Sequence, residues 1–135
     1  MEVIQPAPNK VMKRILFVDD DPSVLAGLAN AFRRDRTRWE IRFALGGDAA
    51  LVELARGGFD VVVSDMRMPG MSGTTLLNIV KQHSPATVLL MLSGSADMEE
   101  ISVALATVDE LISKPSDTPT LRATIERWLS CQFAR

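Results

Sequence analysis

ILFVDDDP, residues 15–22, decides the fold class: four apolar residues run without a break into three consecutive aspartates and a proline. An uninterrupted apolar run of strand length suits a strand covered on both faces, as strands of parallel sheets are. The acids fall where such a strand ends, and Pro22 suits the first turn of a helix. The same pattern recurs downstream. Val61 to Val63 runs through Ser64 into Asp65, Val88 to Leu92 runs into Ser93, and the weaker pair Leu111-Ile112 leads through Ser113 to Lys114. Trp39, Ile41 and Phe43 instead alternate with Glu40 and Arg42, which predicts an edge strand with one wetter side.

Helical stripes separate these runs. Val24, Leu25, Leu28, Ala31 and Phe32 share one face, and Ala50, Leu51, Leu54 and Ala55 another. Gly73 to about His83 carries Leu76, Leu77 and Val80. A helix from about Asp97 to Ala106 points Ile101, Ala104 and Leu105 inward, and Leu121, Ile125, Trp128 and Leu129 mark a last helix capped by Asp117 or Thr118. Met66, Met71, Met91 and Met98 read as core or near-core packing. Five strands alternating with five helices predict an α/β, doubly wound parallel sheet. Residues 1–12, with Pro6 and Pro8, read as a flexible lead-in, and residues 13–135 as one domain.

Composition narrows the function classes. The chain has 135 residues, enough for one domain, with 47% hydrophobic and 24% charged residues, as in an ordinary globular protein. A net charge of -2 without a long Lys/Arg run gives no reason to expect direct binding to nucleic acid or an anionic membrane. Cys131 is the only cysteine, so no intrachain disulfide forms and a reducing cytoplasm is the expected location. The N-terminus lacks a signal-peptide pattern, and no apolar run is long enough to span a membrane. Nothing follows Trp128 beyond LSCQFAR, which reads as a stand-alone domain or the first part of a longer protein.

The chemistry lies in the residues that end the strands. Carboxyl ends of strands in such a sheet meet in one crevice, so Asp19, Asp20, Asp65, Ser93 and Lys114 should converge there. Three adjacent carboxylates repel one another unless a cation neutralises them. All-oxygen ligation suits magnesium, with manganese as a substitute, and His83 as the sole histidine leaves no zinc ligand set. His83 itself reads as a surface residue at a helix end. A carboxylate beside a metal, a lysine and a hydroxyl is equipped to attack phosphorus and to stabilise the transferring oxygens.

At these positions the chain resembles the receiver domains of two-component response regulators, from Lys13 to the end. ILFVDDDP resembles the family's first-strand acidic pair, SDMRMPGMSG the phosphoacceptor segment, LSG the hydroxyl-bearing end of the fourth strand, and SKP the lysine-proline step. The resemblance implies a flavodoxin-like (βα)5 three-layer sandwich with sheet order 2-1-3-4-5. It implies Asp65 as phosphoacceptor, with magnesium held by Asp20, by Asp19 mainly through water, by Asp65 and by the backbone carbonyl of Arg67. Lys114 would pair with a phosphoryl oxygen, and Ser93 would turn inward to another. Gly94 would permit close approach to the anion, and a cis peptide would precede Pro115. Asp21 looks peripheral. The implied partners are a histidine kinase or histidine phosphotransfer protein, an output domain or effector, and a second copy in a homodimer. The chain would not be an enzyme beyond catalysing its own phosphorylation and dephosphorylation.

Two competing readings stand beside this one. Asp19-x-Asp21-x-Ser23 imitates the nucleophile motif of haloacid-dehalogenase-like phosphatases, with Asp19 as nucleophile, although the stretch after Lys114 offers no second acidic pair. A receiver that binds a partner without phosphorylation is the other. The chain also departs from the family. Leu111 stands where an aromatic residue usually lies three positions before the lysine, and residues 106–110, ATVDE, replace the usual Gly-Ala, so an unusual end to the fourth helix and a modified output route are expected. Arg67 and Ser95 occupy positions where the family tunes phosphoaspartate hydrolysis. The SDMRMPGM and LSG wording resembles receivers joined to HD-type signalling domains.

Overall fold

A computed structural model describes Ile4 and residues 12–131. Its strands are β1 (Lys13–Asp19), β2 (Trp39–Leu45), β3 (Val61–Asp65), β4 (Val88–Ser93) and β5 (Glu110–Ser113). Its α-helices are α1 (Pro22–Ala31), α2 (Gly47–Arg56), α3 (Gly73–His83), α4 (Met98–Leu105) and α5 (Thr118–Ser130), and a 3-10 helix over Arg33–Thr37 follows α1. All four strand pairings are parallel and the sheet order is β2-β1-β3-β4-β5. The parallel α/β sheet is the one that the strand and helix alternation predicts, and its order is the flavodoxin-like one that the resemblance implies.

The alternate residues of each central strand feed two separate cores. Leu16, Val18, Val62, Leu89 and Met91 meet α2 and α3 through Ala50, Leu54, Leu76, Leu77 and Val80, with Ala104 of α4 beside them. Ile15, Phe17, Val61, Val63 and Leu90 meet Phe32 and α5 through Leu121 and Ile125 on the other side. Each such aliphatic side chain contributes about 1.5–3 kcal/mol by leaving water. β2 lies at the edge, as its alternation predicts. Ile4 packs half-buried against the α2–α3 side and Met12 is half-buried next to β1, whereas residues 1–3 and 5–11 of the expected lead-in lie outside the described residues.

Caps set where the helices begin. Asp117 accepts from the Thr120 N–H at 2.7 Å, so Asp117 rather than Thr118 caps α5. Asp97 and Glu100 form a reciprocal capping box on α4. Gly73 opens α3 hard against β3: a Cβ there would lie 2.0 Å from the Asp65 carbonyl oxygen, so only glycine lets α3 start beneath that residue.

Two expectations fail on α4. Leu105 is 56% exposed and Met98 76% exposed, and Ala104 is the only fully buried residue of this helix. The period of a helix shows which side turns inward, but α4 sits shallowly enough that residues on its flanks remain wet.

Candidate functional site

The sheet brings the polar strand ends level with one another. Asp19, Asp65 and Ser93 are the last residues of β1, β3 and β4, and Lys114 follows β5 directly. Pairing continues one step beyond the strands, with the Met66 N–H on the Leu92 carbonyl at 3.0 Å and the Lys114 N–H on the Ser93 carbonyl at 2.7 Å. These backbone bonds fix the height of the reactive side chains without using the side chains themselves.

All five residues expected to converge do so. Asp19, Asp20 and Asp65 each present a carboxylate oxygen within 4.8 Å of the others. Lys114 Nζ donates to Asp65 Oδ1 at 2.7 Å. Ser93 is buried, and its hydroxyl donates to the Met66 sulfur at 3.6 Å, a weak acceptor. Asp65, Ser93, Gly94, Lys114 and Arg67 line a cleft of about 230 Å³.

Three anionic groups share this corner with one lysine. Burial pushes the Asp19 carboxyl above the ordinary carboxylate range and the Asp65 charge adds to that push, against the opposing effects of the Asp21 N–H and Lys114. Oxygen donors held this close, with Asp19 and Asp65 both buried, fit a hard divalent cation. Asp21 is directed elsewhere: its carboxylate caps α1 by accepting from the Ser23 N–H at 2.9 Å. Its carboxylate is thus taken up by the helix cap rather than by Asp19, the nucleophile of the phosphatase-like reading.

Other expectations meet mixed outcomes. The Lys114–Pro115 peptide is cis, and His83 is exposed at the end of α3. At Gly94 a Cβ would meet only Lys114 Cδ at 3.8 Å, an ordinary contact, so the protein's own packing does not demand glycine there. Leu111 is half-buried against the α2–α3 core. The Arg67 side chain leaves the cleft edge to pair with Glu100 on α4, and the Ser93–Met66 contact places a thioether beside the hydroxyl. Neither contact was legible in the sequence, because both depend on which rotamer a long side chain adopts.

Comparison with known proteins agrees with this geometry. The sequence profile of the response regulator receiver domain family matches residues 15–126. Sensory transduction protein RegX3 of Mycobacterium tuberculosis is 29% identical over 84% of the chain, and chemotaxis protein CheY-3 of Vibrio cholerae is 36% identical over 88% of it. The chain spans 49% of RegX3 and 92% of CheY-3. The signal receiver domain of an HD domain-containing protein from Pseudomonas fluorescens superposes with a TM-score of 0.84 at 28% identity, covering 92% of this chain and 99% of that one.

Proposed function

Because the chain belongs to the response regulator receiver domain family, we propose that it accepts a phosphoryl group on Asp65 from a histidine kinase or a histidine phosphotransfer protein. The observation that carries this reading is the convergence of three carboxylates with Lys114 at one end of the sheet. The donor set fits magnesium, held by Asp19, Asp20, Asp65 and the Arg67 backbone carbonyl, with manganese able to replace it. When bound, the ion neutralises the carboxylates and the charge on the incoming phosphoryl oxygens.

The chain's own residues perform the rest. Lys114 holds one Asp65 oxygen, which orients the carboxylate and leaves its other oxygen to attack phosphorus. A phosphorus–oxygen bond forms as the phosphorus–nitrogen bond to the donor imidazole breaks, and the imidazole departs with the electron pair. Lys114 then pairs with a phosphoryl oxygen. Ser93 exchanges a weak thioether acceptor for a charged oxygen, a gain that favours its inward rotation. That rotation biases the face formed by α4, β5 and α5, with half-buried Leu111 moving in place of an aromatic ring. Hydrolysis of the acyl phosphate resets the domain, so its catalysis is confined to its own phosphorylation and dephosphorylation.

The likeness to a receiver from an HD domain-containing protein supports an output of that signalling class, either on the same polypeptide or as a separate effector, with homodimerisation as a second use of the face. Among the described residues no helix is long and apolar enough to cross a membrane, which is compatible with the cytoplasmic location proposed here. Residues 1–12 are proposed as a lead-in to the single domain over residues 13–135.

Incubation with magnesium and acetyl phosphate tests the assignment by intact mass. Wild type should gain one phosphoryl group and Asp65→Asn none. Labelling that survives in Asp65→Asn and disappears in Asp19→Asn would overturn it.

A further inference from the structure

A groove of about 680 Å³, larger than the acid cleft, lies beside it between the loop after β3 and helix α4. Its apolar part comes from Met66, Met68, Pro69 and Val103, of which Val103 is 53% exposed. Its rim carries Asp97, Glu99 and Glu100. Arg67 is the one cation lining the groove, and it is engaged with Glu100. Among the described residues Glu99 has no such partner. Met98 and Leu105 do not line the groove, so it is separate from the exposed apolar flank of the same helix.

We propose that this groove docks a cationic segment of a partner protein, one bearing an aliphatic anchor, and that a basic residue of the segment replaces Arg67 at Glu100. Charge complementarity selects the occupant: three carboxylates against one arginine favour Lys or Arg, and the Met-lined floor accepts a leucine or methionine side chain of varied shape. Arg67 is the coupling element, because it lines both this groove and the Asp65 cleft. Its pair with Glu100 is solvent-exposed and therefore readily exchanged. This coupling rests on the reading of Asp65 as phosphoacceptor. A phosphoryl dianion there draws Arg67 inward, frees Glu100 and tightens the groove for the cationic segment, and by linkage the segment favours the phosphorylated state to the same degree.

The test uses a labelled amphipathic peptide with arginines on one face and leucines on the other, titrated into the full chain at low and physiological salt. Amide spectra should shift at Glu99, Glu100 and Val103 and leave Met98 and Leu105 unchanged. Glu99→Gln combined with Glu100→Gln, which keeps the capping capacity of residue 100, should weaken binding about tenfold. Arg67→Gln should tighten binding to the unmodified chain. Absence of saturable binding, or shifts at Met98 and Leu105 instead, overturns the docking surface. Acetyl phosphate, with labelling read by mass in the same sample, should tighten binding several-fold. Labelled protein that binds no tighter overturns the coupling through Arg67. Failure to label contradicts the Asp65 reading instead and leaves the groove to be judged on the unmodified chain, where the double variant decides.

Discussion

Helix α1 has a buried aspartate beyond each end, and the two live in opposite electrostatic conditions. Asp19, just before the helix, is 3% exposed and meets Asp20 and Asp65. Asp35, just after it, is 6% exposed and meets Arg122 and Arg38. Arg122 Nε reaches the two Asp35 oxygens at 3.2 and 3.1 Å, Nη2 donates to Asp35 Oδ2 at 2.9 Å, and the same Nη2 also donates to the Ala31 carbonyl at the end of α1. Burial alone would raise the Asp35 carboxyl, but the hydrogen bonds from the two arginines outweigh it and hold it below the ordinary range. At Asp19 burial acts in the same direction without a comparable counterweight, and the carboxyl is raised. A buried acid that is fully answered by the protein ties the 3-10 segment to α5. A buried acid offset only by the Asp21 N–H and the more distant charge of Lys114 sits where the three carboxylates fit a cation.

Removing the answer at Asp35 should have the largest effect on stability. Arg122→Ala leaves a buried carboxylate with half of its partners and should lower the unfolding free energy by about 3 kcal/mol in urea titrations. A loss below about 1 kcal/mol would place this pair with ordinary surface salt bridges. Supplying the answer at Asp19 comes next. Magnesium in roughly thirtyfold excess over its Kd should stabilise wild type by about 2 kcal/mol, seen as a higher thermal midpoint, and should leave Asp19→Asn nearly unchanged. In chelator the order reverses, since Asp19→Asn removes one of the repelling charges and should gain up to about 1 kcal/mol over wild type. The smallest effect is the pH response of the Asp35 cluster. Its folded pKa is depressed, so its contribution is complete above the unfolded value near 3.8 and fades as pH falls through the lower folded value. The stability gap between wild type and Arg122→Ala should therefore hold at neutral pH and narrow only below about pH 4. A gap that narrows well above that point would mean that Asp35 is not held low.

The same comparison shows what a sequence can and cannot reveal. Asp19 and Asp65 were legible because each ends an apolar strand, and parallel sheets bring such ends together. Asp35 lies in RRDRTR, where nothing local distinguishes it from a solvated acid. Its role depends on Arg122, 87 residues away, and on the depth at which α5 packs. Helix α4 illustrates the same limit. Its periodicity located Ala104 correctly but did not reveal that Leu105 and Met98 stay in water. Gly73 was readable as a helix entry, but its 2.0 Å approach to the Asp65 carbonyl follows from how α3 is seated under β3.

Reductive trapping tests the central claim most directly. Borohydride converts an acyl phosphate of aspartate to homoserine, so protein treated with magnesium and acetyl phosphate and then reduced should carry homoserine at position 65 in its peptide map. Homoserine at position 19 or 20, with Asp65 intact in the same sample, would contradict the account.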